Sequence, residues 1–242
     1  MRIALLLVFL GCTGTSFVAK PLPELVVNVP PTAPIQVQAL QLPSGEALSW
    51  DVHWHGMTIG RAEMSSGDIE IQTTFVTSAL ASSIARVDYG LTTVLDRSTA
   101  RPQSSRETLG RDGTTSHHEV VFDGESYTLG EPAVRIPVPQ GAAHTLHTAL
   151  GAIRAWAHPE AKAGFLFVVH DGRLFHLTLA RPVPETLLGT EALKIACRIR
   201  PHDGKGDVVT LTIWLTATEA RLPFRIAISG DEEQMTADLV DM

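Results

Sequence analysis

The chain has 242 residues, 44% of them hydrophobic and 19% charged, enough apolar side chain for a core and too little charge for a disordered chain. A net charge of −7, with 4 Lys against 15 Arg, leaves no basic field able to neutralise many phosphates, so no nucleic-acid partner is expected. Two cysteines exclude a disulfide scaffold.

In chain order, Arg2 precedes a short apolar run over residues 3–10 and then Gly11-Cys12. A positive start, a short apolar stretch and a small residue before cysteine read as a bacterial export signal over residues 1–19. The run is well short of the ~18–20 residues that span hydrocarbon. Phe9-Leu10-Gly11-Cys12 looks like a lipobox, which makes Cys12 the candidate lipidation site and the membrane a partner through an acyl anchor. Ordinary signal-peptidase cleavage within residues 12–20 is the alternative. Thr13 after the cysteine, by resemblance to enterobacterial sorting, favours the periplasmic face of the outer membrane.

Residues 20–44 carry six of the 15 prolines over residues 20–43 and almost no charge, the composition of a linker. Leu25-Val26-Val27-Asn28-Val29 and Ile35-Gln36-Val37-Gln38 are β-prone within it, so part of it can instead lie along the domain edge.

From residue 45 to 242 strand patterns recur. Leu48, Trp50, Val52 and Trp54 share one face of a period-two strand, with Asp51, His53 and His55 on the other. Residues 61–63, 69–76 and 85–95 continue as strands. Asp123-Gly124 and Asp171-Gly172 mark tight hairpins. Pairing across the second turn puts Leu166, Val168, Phe175 and Leu177 on one face and Phe165, Phe167, Val169 and Leu174 on the other. Both faces are apolar, and the expected cover is the helix over 143–158, where Leu146, Leu150, Ile153 and Trp156 or Ala157 form a stripe. Four further strands lie over 193–200, 208–215, 222–229 and 235–240. The sum is a mainly β fold: one strongly curved antiparallel sheet or open meander barrel of roughly ten strands, with one packed helix. Cys197 alternates with Leu193, Ile195 and Ile199 and is expected in the core.

The segment from Gly45-Glu46 through Trp50 to Gly56-Met57-Thr58-Ile59-Gly60-Arg61-Ala62 resembles the opening of the bacterial exported family catalogued as domain of unknown function 3108. Three later features agree in order: Ala152-Ile153-Arg154 ending the helix, Ile213-Trp214-Leu215, and Arg221-Leu222-Pro223. The resemblance implies an exported β-rich domain and carries no catalytic residues. Where many members have acids before the Arg-x-Pro and before the helix, this chain has Thr216-Ala217-Thr218-Glu219-Ala220 and Ala142-Ala143-His144-Thr145. More loosely, exported carriers with a curved sheet and covering helix hold acyl chains.

Two functions follow. The first is a non-enzymatic envelope lipoprotein that binds a lipid, glycan or protein partner, or acts as a scaffold, without cofactor. Its expected groove is lined by Trp156, Leu150, Ile153, Phe167 and Leu174. The alternative is a metal-assisted hydrolase on Asp51, His53 and His55, three ligand-type side chains at period-two spacing, or on His144 and His147 at i and i+3. No Gly-x-Ser-x-Gly elbow, phosphate loop or dinucleotide fingerprint is present in the sequence. Ser104-Ser105 reads as a turn, and His170 and Arg173 read as solvent-facing residues flanking one.

Overall fold

A computed structural model describes residues 33–242 apart from 97, 100, 131, 132 and 230–233. The export signal, Cys12 and the first part of the Pro-rich stretch lie outside the described residues.

The first half of the domain is an uninterrupted meander. It comprises β1 (Ala47–Trp54), β2 (Met57–Ser66), β3 (Glu70–Thr77), β4 (Val87–Asp96), β5 (Arg101–Arg111), β6 (Thr114–Phe122), β7 (Ser126–Leu129) and β8 (Val134–Pro137). A two-residue strand β9 (Ala143–His144) then leads into helix α1 (Leu146–Trp156). The second half is β10 (Gly164–His170), β11 (Arg173–Leu179), β12 (Val183–Leu187), β13 (Thr190–Pro201), β14 (Val209–Thr216), β15 (Pro223–Ser229) and β16 (Gln234–Asp241). All 16 strands belong to one sheet in the order β8-β7-β6-β5-β4-β3-β2-β1-β16-β15-β14-β13-β11-β10-β9, with β12 beside the first half of β13. Pairing is antiparallel except where β9 runs parallel to β10.

Turn chemistry sets this register. His55-Gly56, Asp112-Gly113, Asp171-Gly172 and Leu188-Gly189 each place two successive residues at positive φ, the requirement of the two-residue type I′ hairpin. Asp123-Gly124 differs from the expected hairpin turn. There the Asp123 carboxylate accepts from the Glu125 and Ser126 amides and caps a wider loop.

The sheet is open, and side chains rather than a hydrogen-bonded ladder join its two ends. Val120, Phe122 and Tyr127 from one end pack on Phe165, Phe167, Val169 and Leu174 from the other. The inward residues of β1–β4, β10, β11 and β13–β16 form the larger core with Ala149, Ala152, Ile153 and Trp156 of α1. Cys197 lies in that core, 2% exposed, and burial raises its thiol pKa.

Helix α1 starts three residues later than the pattern suggests, because Thr145 caps it. Thr145 Oγ1 accepts from the Thr148 amide at 3.3 Å, and Thr148 Oγ1 accepts from the Thr145 amide at 2.9 Å. The helix is buried on nearly every side. The sheet covers one side and residues 33–42 another. Gln41 donates its amide to Gly151 O at 3.1 Å, and a Cβ on Gly151 would fall 2.6 Å from Leu42 Cγ. Ala33 and Ile35 also bond the backbone of Phe165 on the edge of β10. Residues 33–44 are therefore part of the domain rather than tether, since Ile35, Val37, Leu40 and Leu42 all pack on its core.

Arg154, 1% exposed, fixes the far end of the helix. Its guanidinium donates to both oxygens of Glu46 at 2.6 and 2.8 Å and to Ala220 O at 2.9 Å. Removing one member of such a pair leaves a buried charge unpaired, so Glu46→Ala is expected to destabilise the domain by about 3–5 kcal/mol. Urea unfolding monitored by tryptophan fluorescence checks this, and a midpoint unchanged from wild type would refute it.

Candidate functional site

The apolar groove expected from the sequence does not form as one surface. Leu150, Ile153 and Trp156 face the main core with Leu166, Val168 and Phe175, whereas Phe167 and Leu174 lie in the second cluster on the opposite face of the β10–β11 hairpin. The two-faced pairing of that hairpin is as expected. Its cover differs from the expected one: α1 takes one face only, and β6–β8 take the other. Ala149, Ala152, Ile153 and Trp156 of the helix pack directly into the main core beneath the curved sheet.

The proposed metal ligands on β1 share a face but have other partners. Asp51 accepts from Arg61 Nε and Nη2 at 3.0 and 2.9 Å. His53 Nδ1 meets Thr58 Oγ1 at 3.1 Å, with its Nε2 3.7 Å from Asp238. His55 is in the β1–β2 turn at φ 47°. His144 and His147 also fail to converge, because His144 precedes the helix on β9. His147 is 3% exposed and uses both ring nitrogens, Nε2 at 2.7 Å from Thr73 Oγ1 and Nδ1 at 2.9 Å from Thr93 Oγ1. Among the described residues no group of three His, Cys, Asp or Glu is placed to hold a metal.

Sequence reasoning missed a polar seam where the two sheet ends meet. Glu107 on β5, 7% exposed, lies 2.6 Å from His170 Nδ1 on β10, and its other oxygen accepts from the Asp171 amide at 2.7 Å. His118 Nε2 on β6 pairs with Asp171 at 2.9 Å. Burial pushes the Glu107 carboxyl up, but attraction to His170 and the Asp171 hydrogen bond outweigh it, and the pKa lies below the ordinary value. The same burial and the neighbouring Glu107 charge raise the Tyr89 phenol well above its usual range. His170 is therefore buried at 3% exposure, not solvent-facing, because β5 folds across it. β5 also contains Ser104 and Ser105, which are strand rather than turn residues.

The second missed feature is a cleft beside the outer edge of β10, of about 490 Å³, within the size range of small-molecule sites. Two short segments flank it: residues 33–35, which bond Phe165, and β9, which pairs with Phe167 and Val168. Its lining is apolar at Ile35, Val37, Leu40, Phe165 and Phe167 and polar at Gln36, Thr99, Arg101, Gln140 and His144. His144 Nδ1 is shut off from solvent and has no hydrogen-bond partner. Burial, assisted by the Arg101 charge, lowers the His144 pKa to about 4, so the ring is neutral at pH 7. No local sequence signal marks this cleft, since its walls come from four separate stretches of chain.

The order of motifs and the fold together identify the family. A family model described as "Protein of unknown function (DUF3108)" matches residues 49–239, from β1 to β16. The chain belongs to this family. No curated protein sequence matches it. Among solved structures, the beta-barrel-like protein of domain of unknown function DUF1849 from Brucella abortus is similar with a TM-score of 0.55 at 13% identity, covering 81% of this chain and 95% of that one. This likeness shows the barrel-like fold. A DUF1089 family protein from Pseudomonas aeruginosa matches with a TM-score of 0.42 at 10% identity over 76% and 91% of the two chains. Lipoprotein LppX of Mycobacterium tuberculosis matches with 0.26 at 11% identity over 80% and 84%.

The buried histidines of this DUF3108 domain make its stability depend on pH. The pKa of His144 falls to about 4 and that of His147 to about 3, in both cases first through burial, which the Glu107 charge partly opposes at His147. Because each folded pKa lies below the unfolded value of ~6.5, the unfolded chain binds more protons as pH falls. The stability is fully present above about pH 6.5 and declines toward pH 4 and 3, by roughly 2 kcal/mol per histidine at pH 5. The Glu107 contribution is retained at pH 5 and is lost only as pH falls below ~4.5 toward its depressed folded pKa. Urea midpoints at pH 7 and pH 5 are expected to fall in wild type and to fall less in His147→Gln. Equal slopes in the two proteins would contradict the buried neutral assignment.

Proposed function

We propose that this protein is an exported lipoprotein of the cell envelope, acylated at Cys12, whose DUF3108 domain binds a ligand in the β10-edge cleft by recognition rather than chemistry. The single observation that carries this reading is the cleft itself, whose lining combines apolar side chains with a small number of polar ones. Apolar lining with a few oriented polar groups is the usual make-up of a small-ligand site. The metal-assisted hydrolase is not favoured, since Asp51 and His53 are engaged by Arg61 and Thr58. The lipobox and Thr13 support anchoring at the periplasmic face of the outer membrane.

Two measurements test the two halves of the reading. Cys12→Ser is expected to abolish palmitate labelling and release the protein from membranes in a detergent-free wash; continued retention would overturn the anchor. Native mass spectrometry of the protein from its own envelope is expected to show a co-purifying small mass that is lost in Ala142→Phe, which fills the cleft. An apo mass for wild type, or a bound mass that survives in the folded variant, would overturn the site.

A further inference from the structure

We infer that residues 77–85, the loop between β3 and β4, are a membrane-contact surface, and that Leu80 and Ile84 enter the apolar boundary of a lipid bilayer. The two side chains flank the 3-10 turn Ala81–Ser83 and are 74% and 78% exposed. Met57, which begins β2 at the same end of the sheet, is also exposed, and the Ser78 amide ties the loop to β2 by donating to Ile59 O at 2.8 Å. Single exposed apolar residues are ordinary. Leu188 is one, in the β12–β13 turn at the opposite end of the sheet, with Glu185 and Glu191 close by in the chain. Residues 77–85 instead hold no charged side chain. The cations beside them are already paired, Arg86 with Asp88 at 3.0 Å and Arg111 with Asp112 at 3.6 Å.

Hydrogen bonding favours a bilayer over a protein partner. A surface that enters lipid must satisfy its polar groups internally, whereas a protein interface pairs polar groups across itself. The hydroxyls of this loop are all engaged locally. Thr77 Oγ1 donates to Val87 O at 3.3 Å, Ser78 Oγ accepts from the Ala81 amide at 3.3 Å, and the Ser82 and Ser83 hydroxyls donate to Ala79 O and Leu80 O at 3.0 and 2.7 Å. The amides of Ser82, Ser83, Ile84 and Ala85 donate to the carbonyls of Ser78, Leu80 and Ala81. What the loop turns outward is therefore mainly apolar. Reach is sufficient as well. On the reading of Cys12 as an acyl anchor, the chain from Cys12 to Ala33 extends to at most roughly 70 Å, against about 35 Å for a strand as long as β5, so this end of the sheet can meet the bilayer that holds the anchor.

A nitrobenzoxadiazole dye on Ala79→Cys tests this in the mature protein purified from its own envelope and reconstituted in phosphatidylcholine vesicles, since Cys197 is buried and an acylated Cys12 carries no free thiol. The dye is expected to shift to the blue and to be quenched by brominated acyl chains. The effect is expected to be equal with and without phosphatidylglycerol, because paired cations give anionic lipid nothing to attract. The same dye on Thr186→Cys, beside Leu188, is expected to stay aqueous. Leu80→Asp combined with Ile84→Asp is expected to cut the quenching about 10-fold or more, with a wild-type urea midpoint because both positions are exposed. A dye at residue 79 as aqueous as one at 186, quenching that survives the double variant, or contact that requires phosphatidylglycerol would overturn the assignment. The anchor is judged separately, by intact mass. If Cys12 proves unacylated the anchor falls, and vesicles are titrated into the labelled Cys12→Ser protein instead, where the dye shift is expected to saturate with lipid and its absence would overturn the surface.

Discussion

The guanidinium of Arg154, taken out of water and held by Glu46 and Ala220 O, fixes where α1 lies within the sheet, and the rest of the domain is built around that position. A desolvated cation tolerates little displacement from its carboxylate, so the helix is held at one end by charge and at the other by the Thr145 cap and the His147 bonds to Thr73 and Thr93. Between these two anchors Ala149, Ala152, Ile153 and Trp156 occupy the space that the curved sheet would otherwise leave empty. The helix is core, not a lid over a cavity. The candidate cleft lies outside it, at the edge of β10.

The open sheet poses a second problem, since unpaired edges invite association with other chains. Here the outer edge of β10 is covered by Ala33–Ile35 and by β9, and the two sheet ends meet through the aromatic cluster of Phe122, Tyr127, Phe165 and Phe167 and the Glu107–His170 contact. Covering an edge with two short pieces rather than one continuous strand leaves a gap between them. The cleft occupies that gap, so the candidate site is a by-product of how the edge is protected.

Much of this architecture was legible in the sequence where one face of a strand is apolar. Leu48, Trp50 and Val52 on β1, the two faces of β10–β11 and the alternation of β14 all read correctly because burial and period two coincide. Strand β5 was not legible, because its inward positions are Pro102, Ser105 and Glu107 and its stabilising partner, His170, lies far along the chain. The groove was misplaced for a related reason: apolar faces reveal that something covers them, not which element does. The family motifs have structural causes. Glu46 and Arg154 meet in the buried ion pair, and Pro223 O accepts from Trp50 Nε1 at 2.8 Å. Gly60 leaves room for the Phe75 ring, which a Cβ would approach to 2.6 Å. Motifs of this kind fix a scaffold. The cleft residues Arg101 and His144 are outside all of them.

The central claim is that α1 is an integral part of the core and does not open to admit a ligand. Native-state hydrogen exchange tests it most directly, because local opening and global unfolding are separated by the denaturant dependence of each amide. The account predicts that amides of Leu150, Ile153 and Trp156 exchange only through global unfolding, with the same free energy as those of β1, β13 and β14. Exchange of the helix amides by a low-energy opening, about 10³-fold faster than the strands and insensitive to denaturant, would contradict it.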